Sequence, residues 1–399
     1  MNNANLLPAI TIQELYLRIY CFVIKQIIYL TNFNESMKRL FLSFILLSIS
    51  TVLLHMNTVY AQHEKMYVGT YTSGNDSKGV YVYDFDERSG EAILEKTIAM
   101  DNPSFLARKG AVLYAVNEDS KGMLTVYDLD SDKILSHVST DGEHPCHISL
   151  SPKDPVLVVS NYSSGSLVLY SLNQDGSIHA LDDFLKFNGS SINNERQEES
   201  HIHSAFFNRE GSQVYVSDLG ADLIYVFEIE RQNDKYRFHK VQEIKTKFGG
   251  GPRHLVFSQD EKTLYSILEM TGEVQVFQKE NNDWVSKQIV PMYPTNFKGE
   301  HGGGDIKLSK DGKYIFATNR GTANFIYQYK INQDGKLKVK RYSSVFGDSP
   351  RNVNLSPSEK FIFVTNQNTN NITIFSKKLE KPKDVGLVLQ IPKPVCVIF

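Results

Sequence analysis

Short apolar runs, rich in Val, Ile, Tyr and Phe and bounded by Gly, Asn, Asp and Ser, recur from about residue 66 to the C-terminus. Such runs are too short for helices and read as β-strands. One hairpin stands for the rest. In residues 251–269, Arg253-His254 opens the run Leu255-Val256-Phe257, Gln259–Lys262 makes a polar turn, and a second run ends at Glu269. Arg253 and Glu269 are equidistant from Glu261, so they are expected roughly opposite each other across an antiparallel pair, gathering an arginine, a histidine and a carboxylate at one end. Positions equivalent to Pro252 fall at Pro103, Pro145, His201, Gly303 and Pro350, at intervals of 42 to 56 residues. Each is followed by an apolar strand, a turn like Ser151-Pro-Lys-Asp154, and a second strand such as Leu157-Val-Val-Ser-Asn161 or Ile362-Phe-Val-Thr-Asn366. Third and fourth strands follow turns such as Asn173-Gln-Asp-Gly176 and Asn332-Gln-Asp-Gly335.

Four strands per unit at this period predict an all-β fold, a β-propeller. The ends of the chain fix the blade count. Six units are complete, and a seventh begins at Met66-Tyr-Val-Gly-Thr-Tyr71 without its first strand. The final residues, Pro394-Val-Cys-Val-Ile-Phe399, align with Pro252–Phe257. The C-terminus is therefore expected to complete the first blade and close a seven-bladed ring, which removes the open sheet edge.

Upstream of the repeats the pattern changes. Met37-Lys38-Arg39 precedes the apolar stretch Leu40–Leu54, and Thr58-Val-Tyr-Ala61 follows it. A basic start, an apolar core and small residues at the end describe a secretory signal over 37–61, cleaved after Ala61. Residues 1–36 read as an upstream extension, and 62–399 as the propeller domain. Export to the periplasm or outside the cell is the expectation, with no membrane span after cleavage; an unused signal would leave the protein cytoplasmic. Cys146 and Cys396 then remain, in different blades, so no disulfide framework is implied. Net charge is −2 and charged residues are 22% of the chain, which gives no nucleic-acid footprint. A monomer acting on a small molecule is expected.

The chemistry is legible at one rim. The starts of first strands and the ends of second strands share one mouth of a propeller. There the chain places Cys146/His147, Ile202/His203, Arg253/His254 and Arg351/Asn352 on first strands, with Asn117/Glu118, Asn161/Tyr162, Glu269 and Asn319/Arg320 on second strands. The recurrent Asn117, Asn161 and Asn366 suit turn backbone groups. His201, His203, Arg253, Glu269 and Arg320 converge as candidate acid, base and anion-binding groups. Two long loops, Phe184–Ser200 and Pro291–Gly304, overhang them, and long loops in compact domains tend to cover sites. The run Gly302–Gly304 would allow a ligand close to the backbone. No zinc or calcium spacing occurs, so neither a metal nor another cofactor is expected.

Three motifs carry a family resemblance. Asn194-Glu-Arg-Gln197 with Ser200-His-Ile-His203, then Gly251-Pro-Arg-His254 with Tyr265 and Glu269, then Asp305 through Asp311-Gly312 to Asn319-Arg320 resemble the seven-bladed propeller lactonases. That family includes 6-phosphogluconolactonases and carboxy-muconate lactonising enzymes, and the likeness covers roughly residues 66–399. The resemblance implies sugar-lactone hydrolysis, with His203, Glu269, Arg253 and Arg320 as catalytic candidates. His147, Arg196, Gln197, His201, His254 and Asp305 are the substrate-binding candidates. A lactonising isomerase, or an exported propeller that only binds glycan or protein, are the alternatives.

Overall fold

The computed structural model describes residue 43, residues 63–379 and residues 388–399. The chain divides into two units, Met1–His63 and Glu64–Phe399. The expected signal segment lies, apart from Ser43, outside the described residues. Among the described residues no helix is long and apolar enough to cross a membrane.

The second unit is a ring of seven four-stranded antiparallel sheets. The fifth blade, Pro252–Phe257, Thr263–Leu268, Glu273–Glu280 and Asp283–Pro291, shows the common pattern. In the first blade Pro394–Ile398 pairs with His63–Thr70, Val397 opposite Val68, and supplies the missing inner strand. Each inner strand also packs against the inner strand of the next blade, and Pro394–Ile398 touches both Pro350–Leu355 and Pro103–Lys109. The expected closure is present.

Apolar runs become strands here because each blade is covered on both faces by its neighbours. Seven apolar clusters occur among the described residues, one between each pair of adjacent blades. Second strands such as Val156–Asn161 are buried throughout, whereas outer strands such as Lys133–Ser139 are half-exposed. The recurrent turn serine has a defined role. Ser258 Oγ accepts from Thr263 N at 3.0 Å and Ser309 Oγ from Tyr314 N at 3.0 Å, closing the first hairpins of the fifth and sixth blades.

Two features of the inner strands set up the mouth. The residue before the strand-opening proline takes a left-handed conformation at Asn102, His144, Gly251, Ser349 and Lys393. One residue later the ladder slips. In the third, fourth, fifth and sixth blades, for example, the inner strand carries one extra residue against its partner. A bulge of this kind bends the strand and re-aims its side chains. Arg253 and Glu269 do meet at one end of the hairpin, but not in direct register: Pro252 opposes Leu268, and Glu269 lies just past the strand end.

Candidate active site

The bulge in Pro252–Phe257 turns Arg253 toward the mouth and His254 down the channel. Glu269 is fixed by its backbone, its N–H donating to Gly251 O at 2.7 Å. Its carboxylate gathers three guanidinium groups. Oε1 accepts from Arg196 Nη2 at 2.7 Å, and Oε2 meets Arg253 Nε at 3.1 Å and Arg320 Nη2 at 2.8 Å. His203 Nε2 stands 3.6 Å from Oε2. The three arginines come from different places: a loop, the inner strand of the fifth blade, and the end of Tyr314–Arg320 in the sixth.

The electrostatics follow from burial against this cage. Burial alone would raise the Glu269 pKa, but Arg320, His203, Arg253 and Arg196 outweigh it and hold the carboxyl well below the glutamate range. His203 is buried and pressed by Arg253, so its pKa falls well below the usual value and the ring is neutral near pH 7. Arg253, also buried and beside Arg320 and Arg351, is pushed down to about 10. Three guanidinium groups around one carboxylate leave the cluster with an excess of positive charge.

The arginines differ in access. Arg196 is 48% exposed and Arg320 18%, whereas Arg253 is 3% exposed. A cavity of about 630 Å³ opens beside the cluster, walled by Arg196, Glu269, Met270, His301, Gly302 and Arg320 among others. Arg253 stands behind Glu269 and also donates through Nη1 to Gly304 O.

The other predicted residues go elsewhere. His147 and His254 lie deeper in the channel. The His147 ring packs 4.3 Å from Phe105, 4.5 Å from Phe206 and 5.4 Å from His254. His254 Nδ1 and Asp305 Oδ1 are 2.7 Å apart, and Asp305 Oδ2 accepts from Asn352 Nδ2 at 2.6 Å. His201 sits at the rim, stacked on Tyr162 with centroids 4.6 Å apart and rings 11° from parallel. Gln197 is fully buried and ties its own loop, donating to Leu219 O at 2.9 Å. The structure thus gathers Arg196, His203, Arg253, Glu269 and Arg320 and separates His147, Gln197, His254 and Asp305 from the cavity wall. Among the described residues no group of three or more His, Cys, Asp or Glu is placed to hold a metal ion.

A family profile described as lactonase, seven-bladed β-propeller, matches residues 65–399. The chain belongs to that family. The 6-phosphogluconolactonase of Formosa agariphila is 34% identical over 331 residues, covering 80% of this chain and 94% of the relative. That of Bacillus subtilis is 29% identical over 355 residues, covering 84% and 97%. Among solved structures, the periplasmic gluconolactonase of Pseudomonas aeruginosa matches with a TM-score of 0.74 at 29% identity, covering 84% of this chain and 98% of that one.

Within this lactonase one expectation shifts. Gly303 and Gly304 serve blade packing instead of ligand approach. A Cβ on Gly303 would stand 2.6 Å from Leu268 O, and one on Gly304 2.2 Å from Pro350 O. Only Gly302 of the three lines the cavity. Tyr162 also joins the cluster, since Arg196 Nη2 donates to its hydroxyl at 3.1 Å. Its place at a second-strand end was readable, but its contact with a loop residue 34 positions away was not. Arg351, 3.5 Å from Glu118 Oε1, is a further mouth residue of this kind.

Proposed function

We propose that this lactonase hydrolyses an anionic or strongly polarised sugar lactone at the Glu269 cluster. The observation that carries the reading is a single carboxylate caged by three arginines, two of which, Arg196 and Arg320, face a cavity large enough for a monosaccharide. The names of the relatives, 6-phosphogluconolactonase and periplasmic gluconolactonase, support it.

In the proposed reaction a water oxygen adds to the lactone carbonyl carbon. The ring C–O bond then breaks, and the ring oxygen leaves as a hydroxyl, giving a hydroxy acid. Arg320 and Arg196 supply N–H donors and positive charge to the developing oxyanion or to a substrate phosphate. Glu269 takes the proton from water. In the free protein it is a poor base because three guanidinium groups hold it ionised. When a substrate anion draws the exposed Arg196 away, one of the three is lost and the carboxylate becomes more basic. Glu269 holds the proton at Oε1, the oxygen Arg196 leaves, with neutral His203 3.6 Å from Oε2, and the proton passes to the ring oxygen as the C–O bond breaks. Arg253 positions the carboxylate from behind.

The test is turnover per folded molecule on glucono-δ-lactone and its 6-phosphate. Glu269→Gln keeps the shape and removes the proton acceptor, so kcat should fall about 10²–10⁴-fold while KM changes little. A folded Glu269→Gln protein with unchanged kcat would remove Glu269 from the chemistry.

We also propose export, on the Met37–Ala61 pattern. Secreted protein should begin at Gln62, and N-terminal sequencing that found Met1 or Met37 instead would overturn this.

A further inference from the structure

A second cavity, of about 480 Å³, opens on the same mouth between the seventh, first, second and third blades. Its walls include Tyr71, Asn102, Glu118, Asp119, Gln367 and Lys393. The two cavities share a thin partition at the seventh blade. Gln367 lines the second cavity, while Asn368, the next residue, lines the Glu269 cavity. The Gln367 N–H donates at 3.1 Å to the carbonyl of Ser349, which lines the Glu269 cavity.

The two cavities differ in their cations. The first presents the guanidinium groups of Arg196 and Arg320 beside Glu269, Glu300 and Asp348. In the second, Glu118 and Asp119 are met by Lys393 and by Arg351, which lies 3.5 Å from Glu118 Oε1 but does not line the wall, so no arginine stands there to take a phosphate or carboxylate. Amide groups, carboxylates and a tyrosine ring are the groups that take neutral sugar hydroxyls and sugar faces. The wall is also built in advance. Asn102, 6% exposed, accepts through Oδ1 from Thr72 N at 2.8 Å and Ser73 N at 3.0 Å, and donates through Nδ2 to Ser73 Oγ at 2.8 Å. That fixes the loop after the first blade's second strand without any ligand.

We propose that this cavity is a neutral-sugar subsite, and that the preferred substrate is a lactone whose sugar carries a second glycosyl unit. The lactone ring sits at Glu269 and the appended sugar crosses the Gln367–Asn368 partition. The proposal rests on the lactonase reading for the ring's position, but the subsite can be measured without turnover.

The experiment compares gluconate with lactobionate, the corresponding disaccharide acid, by calorimetry on the full chain and on Ser120→Trp. Ser120 is exposed on the rim of the second cavity and remote from Glu269, so a tryptophan there fills the subsite and leaves the catalytic cavity open. Lactobionate should bind the unaltered protein at least tenfold more tightly than gluconate, and Ser120→Trp should erase that advantage with gluconate binding unchanged. In parallel, kcat/KM for lactobiono-δ-lactone should fall at least tenfold in Ser120→Trp, with glucono-δ-lactone hydrolysis kept. Equal affinity for the two acids, or equal weakening of both by Ser120→Trp, would overturn the subsite. A lactobionate preference abolished by Ser120→Trp, in a protein that opens neither lactone, would uphold the subsite and sink the lactonase reading.

Discussion

A carboxylate shared by three guanidinium groups is a stable anion, and stability of charge is the opposite of basicity. Glu269 therefore illustrates how residue identity and residue role separate. Its identity as a mouth acid is plain in the chain, whereas the depth of its ionisation depends on Arg196, Arg253 and Arg320 arriving from three parts of the fold. The histidines below it give a second consequence. Burial, helped by Arg253, pushes His254 down to about 4, although Asp305 opposes the shift. In the unfolded chain the same ring titrates near 6.5. Between those values the unfolded state binds the additional proton, so stability is complete above about pH 6.5 and is lost as pH falls toward 4. The contribution of His254 is on the order of 3 kcal/mol by linkage. His147 and His203 are shifted in the same direction. Melting temperature should drop between pH 7 and 4.5, and His254→Gln should shrink that drop. An equal drop in the variant would show that His254 titrates normally in the folded state.

At the scale of the element, the inner strand decides most. Its bulge sets which side chain reaches the mouth, and its last example, Pro394–Ile398, closes the ring. Val395, Cys396 and Val397 are each 1–2% exposed, and Phe399 packs 5.7 Å from Phe85 and 5.2 Å from Phe363. Each fully buried apolar side chain stabilises by roughly 1.5–3 kcal/mol. The strand also reaches the channel. Val397 N donates to Asn352 Oδ1 at 3.0 Å, and Asn352 in turn holds the Asp305 carboxylate beside His254. Deleting Pro394–Phe399 should lower the melting temperature by many degrees and reduce activity per folded molecule. An unchanged melting temperature would contradict closure by this strand. The hairpin register was nearly readable from symmetry about Glu261. At Pro252 it is two residues out: one is lost at the turn, where Phe257 opposes Leu264, and one at the bulge, which nothing in Gly251–His254 marks.

Over the whole molecule, periodicity did what composition could not. Apolar runs buried on both faces, a serine at four of the hairpin turns (Ser151, Ser258, Ser309 and Ser356) and an orphan strand at the C-terminus are local facts, and together they determined seven blades, their order and the closing pair. The spacing of Asn and Asp at second-strand ends was equally local. Asn161 Nδ2 donates to Thr140 O at 3.0 Å and Asn319 Nδ2 to Met292 O at 2.7 Å, as turn-holding amides should. Which mouth residues meet was not local. Arg196 and Glu269 are 73 positions apart, and the packing of the fourth blade's entry loop beside the fifth blade brings loop and strand end within 2.7 Å. The roles of Gly303 and Gly304 likewise depend on Leu268 and Pro350 in adjoining strands. The sequence by itself determined the architecture and the cast of the mouth, because a propeller repeats its hydrogen-bonding and burial rules every blade. The tertiary structure decided the ion pairing, the burial that shifts each pKa and the division of the mouth into two cavities, because those depend on distances between blades that no repeat encodes.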